Sequence, residues 1–265
     1  MNSSVGHDRD DQVASVHTPF LSHSRVNRYL HCPEQYRLYY LENLRRRVPA
    51  ANLVFGQIVH QALAAFFLRQ RDPVRVFQDL WQEVRTIELD YSPKDSWDLA
   101  LATGQVLLGR FVKEEMPRLC QIEAVEQKFE LQITSLELPF VGIIDLVAHV
   151  DGRSVVDFKT AGSGYQPHEA VLSDQLTAYQ LAEPTAEQTG LYAFVKTKEP
   201  RIEWHVATRT GEQGVDYLTK AGLVAHEIAA GHFYKRPGKW CSWCDYLPVC
   251  TGDHATATET LVKIR

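Results

Sequence analysis

VGIIDLVAHVDGRSVVDFKT, residues Val141 to Thr160, reads as two short strands joined at Asp151-Gly152, a pair that favours the φ > 0 geometry of tight hairpins. The first strand is almost wholly apolar, yet Asp145 sits in its middle; the second carries Asp157 and Lys159 in the run Val155-Val156-Asp157-Phe158-Lys159. Side chains alternate along a strand, so Asp157 and Lys159 share one face and Phe158 points to the other. A strict two-residue turn would pair Asp145 with Phe158 and face it away from Asp157. A three-residue loop, Asp151-Gly152-Arg153, pairs Asp145 with Lys159 and gathers the three polar groups on one face. That bulged turn is the expectation. Two carboxylates and a lysine on a largely buried hairpin cost several kcal/mol of desolvation unless something compensates. An ordinary Asp–Lys pair is one way to do so. A divalent cation held by the carboxylates, with the lysine beside it, is the other.

The 265 residues can bury a full core as one large domain or two small ones. A hydrophobic fraction of 45% and a charged fraction of 23% are those of a soluble globular protein. No run approaches the roughly 18 apolar residues of a membrane span, and MNSSVGHDRDDQ does not read as a signal peptide. The expectation is a cytoplasmic protein with no membrane partner. A net charge of −5 argues against generic nucleic-acid binding without excluding a local basic groove.

Residues 1–18 are polar and aperiodic and read as a disordered tail. Ser22 is the N-cap of a helix reading SHSRVNRYLH, and Pro33 opens a second, EQYRLYYLENL. Arg25, Arg28, Arg37 and the run Arg45-Arg46-Arg47 make this the most cationic region, either a solvated surface or a phosphate-contacting patch. Leu53 to Arg69 is a strong helix with Gly56 one turn before His60, where it would clear space beside the imidazole. Asp72 to Leu119 reads as two long helices, an all-helical insertion beside the core. From Glu126 to Ile133 the period changes to that of a half-exposed strand. A helix from about His168 to Leu181 carries Gln175 and Tyr179; two further strands, Leu191–Lys198 and Ile202–Thr208, and a helix from Gly211 to Phe233 follow.

The last part of the chain carries Cys241-x2-Cys244-x5-Cys250. Thiolates at CxxC spacing reach one metal or cluster together. The natural fourth ligand is Cys32; Cys120, at a helix end, competes for the role but reads more easily as an apolar residue. Zinc and an iron–sulfur cluster both accept four cysteines, and spacing does not separate them. Either would staple the two ends of the fold.

Together these pieces resemble the PD-(D/E)XK nuclease superfamily, in its RecB-like, AddB-type iron–sulfur branch, close to the CRISPR-associated exonucleases. The matching residues are Gly56-Gln-Ile-Val-His60, Gly142-Ile-Ile-Asp145, Val156-Asp157-Phe158-Lys159-Thr160, Gln175-x3-Tyr179 and the four cysteines, spread from about Leu21 to Cys250. The resemblance implies an α/β (α+β) fold with a restriction-endonuclease-like core: a mixed central sheet flanked by helices, a helical insertion at 72–119 and a C-terminal cysteine staple. One domain would span residues 19–252, with 253–265 a second tail. It implies that His60, Asp145, Asp157 and the Phe158 carbonyl hold Mg²⁺ or Mn²⁺, and that Lys159 orients or deprotonates the attacking water. Gln175 and Tyr179 would border the site and the DNA strand, Glu126 would be an accessory acid, and Cys32, Cys241, Cys244 and Cys250 would hold a 4Fe–4S cluster in preference to structural Zn²⁺. The implied activity is a DNase, an exonuclease on single-stranded ends in repair, recombination or CRISPR adaptation. A structure-specific endonuclease, or a DNA-end-binding assembly subunit, is the alternative. No GxxxxGK[ST] loop is present, so unwinding would fall to a helicase partner.

Overall fold

A computed structural model describes residues 20–132 and 138–264; the expected tail at 1–18, and Ile133, lie outside them. Ser22 caps α1, His23–His31, its hydroxyl accepting from the Arg25 N–H at 3.3 Å. Pro33 sits in the first turn of α2, Pro33–Tyr36, which runs on into a π turn over Arg37–Leu41. A short strand, β1 Leu44–Arg46, precedes α3, Ala51–Arg69. Asp72 and Ser96 cap α4, Pro73–Glu83, and α5, Trp97–Arg110. The strands β2 Ile122–Gln132, β3 Pro139–His149 and β4 Arg153–Ala161 follow. A crossover through α6, Pro167–Val171, and α7, Asp174–Ala182, leads to β5 Gln188–Val195, β6 Arg201–Ala207 and α8 Gly211–Ala229. The single helix expected from His168 to Leu181 is broken because the Ser173 hydroxyl accepts from the Leu176 N–H and starts a new one.

The sheet order is β2-β3-β4-β5-β6, with β4 and β5 parallel and the other pairs antiparallel. This is the expected mixed sheet flanked by helices. Val156 and Phe158 of β4, with Tyr192 and Phe194 of β5, pack against Phe55 and Val59 of α3. Phe77, Trp81, Leu107 and Phe111 complete the same cluster, each fully buried and contributing about 1.5–3 kcal/mol of transfer energy. The 72–119 helices supply much of this largest cluster, packed into the core and not merely beside it. Helix α3 is long and apolar enough to cross a membrane by length and composition alone, but Phe55, Ile58, Val59, Ala62 and Leu63 lie in this core. The opposite face is covered by α7, where Leu176 and Tyr179 meet Ile144, Val155 and Leu191.

The hairpin turn differs from the expected one. His149 pairs with Arg153 and Leu146 with Val156, so the three-residue loop is Val150-Asp151-Gly152, one residue earlier than anticipated. The Val150 N–H donates to the Gly152 carbonyl at 2.9 Å, with Asp151 at φ 56 and Gly152 at φ 134. This register sets Asp145 level with Asp157 instead of Lys159. The slip is even, so Asp145 and Asp157 still share a face.

Of the tail expected at 253–265, the described residues 253–264 also depart from expectation. They are no tail: α9 Leu247–Thr251 and α10 His254–Thr260 lead into β7 Leu261–Lys263, which pairs with β1. The arginine run is spent on this join. Arg47 donates to the carbonyls of Thr258, Glu259 and Leu261, Arg46 pairs with Asp90 at 2.6 Å, and Arg45 stacks on Tyr39 at 3.4 Å. Arg37 pairs with Glu34 at 2.8 Å. These partners leave little of the run for a phosphate patch.

Candidate active site

Pairing of β3 with β4 stops at Leu146 and Val156. Beyond that point the Asp145 carboxylate takes the ladder's place, its Oδ2 accepting the Phe158 N–H at 2.8 Å. A short polar side chain in place of a backbone carbonyl lets β4 part from β3 here while its parallel pairing with β5 runs unbroken from Ser154 to Ala161. The opening holds two buried acids, Asp145 at 8% exposure and Asp157 at 2%.

Glu126 faces this opening from β2. It stands between the pairs Val125–Leu146 and Gln127–Ile144, level with Asp145, and has φ 51. A glutamate in left-handed backbone inside a strand is strained, and such strain gathers at functional sites. His60 enters from α3, its Nδ1 3.6 Å from Asp145 Oδ2. One ligand atom from each of His60, Glu126 and Asp145 lies within 4.8 Å of the other two. Gly56 does not clear space for the imidazole as expected. A Cβ there would come within 3.1 Å of Thr160 Oγ1, so the glycine admits the end of β4.

Asp157 is held differently. Lys159 Nζ lies 2.9 Å from its Oδ2, while Gln175 Nε2 donates to its Oδ1 at 3.0 Å and the Tyr179 hydroxyl at 3.3 Å. Gln175 Nε2 also donates to the Tyr179 hydroxyl, at 2.9 Å. Tyr179, expected to border a DNA strand, is 4% exposed and acts from beneath Asp157. Burial, opposed by Lys159 and reinforced by Asp145, pushes the Asp157 carboxyl up to about 6. Burial and the Asp145 charge likewise push Glu126 up. For His60, burial pulls downward, but the Asp145 and Asp157 carboxylates outweigh it and raise the imidazole. Lys159 is raised because Asp157 and Asp145 overcome its burial, so it stands as an ammonium.

The donors fit a hard divalent cation. Two carboxylates and one imidazole, Glu126, Asp145 and His60, converge; Asp157, also expected to bind the metal, lies outside that group against the Lys159 ammonium, and Glu126 and Asp157 are held partly against ionisation. An ion among them would relieve both penalties. Oxygen donors with one nitrogen suit Mg²⁺ or Mn²⁺, Mn²⁺ accepting the imidazole more readily.

Sequence reasoning did not single out His23. With Ser22, Glu126, Asp145, Gln175 and Tyr179 it lines a cleft of about 290 Å³. Its Nδ1 is buried without a partner, and burial, with help from Lys159 and Lys220 and against Asp174, lowers its pKa from 6.5 to about 4. The only local signal was its place beside a helix cap. A neutral imidazole in the fold that charges in the unfolded chain costs stability as pH falls through that interval. We expect wild type to lose stability relative to His23→Gln between about pH 6.5 and 4, read as the difference in urea midpoints so that other titrations cancel. Equal pH dependence of the two proteins would refute the buried neutral state.

At the other end of the molecule, Cys32, Cys241, Cys244 and Cys250 line one cavity of about 260 Å³, and all four are free thiols. Gln35 Nε2 donates to Cys244 Sγ at 3.7 Å and the Gly238 N–H to Cys241 Sγ at 3.4 Å. Burial pushes the Cys244 and Cys250 thiols up, which a bound metal would reverse. Cys120 is exposed and its N–H donates to the His149 carbonyl, beside the hairpin turn. The structure thus groups Cys32 with the three C-terminal cysteines and leaves Cys120 apart.

The family model of the PD-(D/E)XK nuclease superfamily matches residues 20–251. No curated protein matches the sequence. Among solved structures, a candidate exonuclease from Eubacterium rectale superposes with TM-score 0.55 at 13% identity, covering 86% of this chain and 88% of its own. The protein SSO0001 aligns with TM-score 0.37 at 15% identity over 74% of this chain and 84% of its own, too loosely to carry an argument. At these identities the likeness is one of fold.

Proposed function

Because the chain belongs to the PD-(D/E)XK nuclease superfamily, we propose that it is a Mg²⁺- or Mn²⁺-dependent DNA exonuclease of the RecB-like, AddB-type kind, acting on single-stranded ends. The observation that carries this reading is the opened hairpin. Asp145 replaces a ladder carbonyl, Glu126 is turned inward by strained backbone, His60 leans on Asp145, and Asp157 is clamped to Lys159. Such a constellation is costly without a cation and a phosphate to meet it.

A divalent ion held by His60, Glu126, Asp145 and Asp157, with the Phe158 carbonyl as a further donor, would polarise the phosphate and lower the pKa of the attacking water. The protein's own groups divide the remaining work. Lys159, protonated, donates a hydrogen bond to that water and to the charge building on the phosphate. Gln175 and Tyr179, both donating to Oδ1, hold Asp157 in one rotamer with its Oδ2 against Lys159.

The four cysteines would hold a 4Fe–4S cluster. The same four thiolates could hold a single tetrahedral zinc, and iron, sulfide and zinc content of the purified protein separates the two. The role of either is to fasten α1 and α2 to the C-terminal segment. Unwinding of duplex DNA would come from a helicase partner in recombination or CRISPR adaptation.

Linear end-labelled and circular single-stranded DNA of one sequence, incubated with Mn²⁺, separate the readings. Loss of the linear strand with the circle intact supports the exonuclease. Opening of the circle would replace it by an endonuclease, and survival of both strands would remove the nuclease assignment.

A further inference from the structure

The sheet contains one parallel pair, β4–β5, and the carboxyl ends of such strands are where α/β folds bind ligands. Two adjoining cavities of about 670 and 460 Å³ lie there, both lined by Asn52, Lys94, Asp95 and Lys196. The smaller reaches Thr160 and Gly162, which flank the chain just after Lys159. The larger runs over Phe55 and Tyr91 toward Leu99 and Val106, which are 49% and 44% exposed. The two form one trough. It starts one residue beyond Lys159 and ends on an apolar floor.

Lys196 stands at the junction. Its backbone N–H donates to the Ala161 carbonyl at 2.7 Å, which fixes it beside the end of β4. Its Nζ donates to Asn52 Oδ1 at 2.7 Å and lies 4.7 Å from the centre of the Phe55 ring. Both contacts are uncharged. The Asp95 carboxylate attracts it from further off but accepts the Ser92 hydroxyl. Burial accordingly lowers this ammonium's pKa, as expected of a cation held without a close anion. Lys94 and Lys198 line the same trough.

We infer that this trough carries the nucleic-acid strand next to the cleaved bond: Lys196 and Lys94 take a backbone phosphate, and the accessible floor of Tyr91, Leu99 and Val106, beyond the buried Phe55, takes an unpaired base. The inference rests on the nuclease reading above and adds to it the place where the strand binds and the residues that hold it. An apolar, aromatic floor rewards an unstacked base, which a duplex does not offer. A phosphate beside Lys196 gives the buried ammonium the anion it lacks.

The test is binding of a fluorescein-labelled oligo(dT) of about 12 nucleotides in EDTA, followed by anisotropy at several salt concentrations. Lys196→Met, with native circular dichroism, should weaken Kd about tenfold and reduce the log–log salt slope by about 0.7. Lys196→Arg should retain most of the affinity. Lys94→Gln, on an exposed loop, should weaken binding about threefold and decides the matter if Lys196→Met does not fold. Unchanged Kd and slope in the folded variants would overturn the inference. Equal losses in the Met and Arg variants would also do so, since packing and not charge would then be at stake. A duplex of equal length bound as tightly and weakened as much would overturn the single-strand assignment. The nuclease reading is judged apart, by whether wild type given Mn²⁺ degrades the same oligonucleotide. If it does not, a loss of binding in Lys196→Met still supports the trough while the catalytic reading falls.

Discussion

We expect Asp157→Asn to abolish degradation of DNA, by about 10³-fold or more, and at the same time to stabilise the metal-free protein. The two effects share one cause. Burial, against the pull of Lys159, raises the Asp157 carboxyl from 3.8 to about 6, so at neutral pH the fold holds a carboxylate it would prefer neutral. The sign follows from linkage. Between the two values the folded state binds more protons than the unfolded chain, and stability falls as pH rises through that window. An amide of the same shape removes the penalty, on the order of 1–3 kcal/mol above pH 6. Its oxygen, at the Oδ1 position, still accepts from Lys159, Gln175 and Tyr179, while the Lys159 ammonium turns away from the amide nitrogen that replaces Oδ2. A structural role predicts the reverse, because loss of the Lys159 partner would lower stability. Thermal midpoints of the chelated proteins at pH 7.5 discriminate. A variant that is inactive and less stable than wild type would show that Asp157 braces the hairpin.

If the four thiols hold a metal as proposed, Cys32→Ala should lose it and lower the thermal midpoint by roughly 6–12 °C, an effect of about 3 kcal/mol; Cys120→Ala should do neither. Cys32 sits between α1 and α2 in the same cavity as Cys241, Cys244 and Cys250. Cys120 lies exposed by the hairpin turn. A metal on the four thiols closes a loop of most of the chain, where a crosslink restrains the unfolded state most. Anaerobically purified wild type should be brown, with iron and sulfide in equal amounts. The cavity alone does not hold these segments together: Arg47 and the β1–β7 pairing bridge them too. Cys32→Ala should therefore remain folded though weakened. A colourless wild type with one zinc would replace the cluster, and loss of metal in Cys120→Ala would reassign the fourth ligand.

How much of this was legible in the sequence depends on the range over which each feature is set. The alternation of β4 put Asp157 and Lys159 on one face, and parity kept Asp145 with them even though the turn begins at Val150 and not Asp151. The individual strands and helices followed from periods of two and 3.6, which are local, whereas the mixed sheet they build was implied only by the resemblance to the nuclease family. Glu126 was visible only as an acid near the strand. Its inward turn depends on φ 51, which no side-chain pattern announces. Gln175 and Tyr179 were legible as a pair four apart on a helix, but their hold on Asp157 is set by how α7 packs on β4. Phe77, Trp81 and Phe111 marked amphipathic helices without naming the partner they bury against, so the segment read as an insertion. The pairing of Leu44 with Lys263 spans nearly the whole chain, beyond the reach of local periodicity.

The central claim is that the opening between β3 and β4 is a hydrolytic metal site. Its most direct test is degradation of end-labelled single-stranded DNA by wild type and Asp157→Asn, in Mn²⁺ and in EDTA. The claim predicts nucleotide release by wild type in Mn²⁺ alone, with the variant at background in both. Equal release by the two proteins, or release that survives chelation, would contradict it.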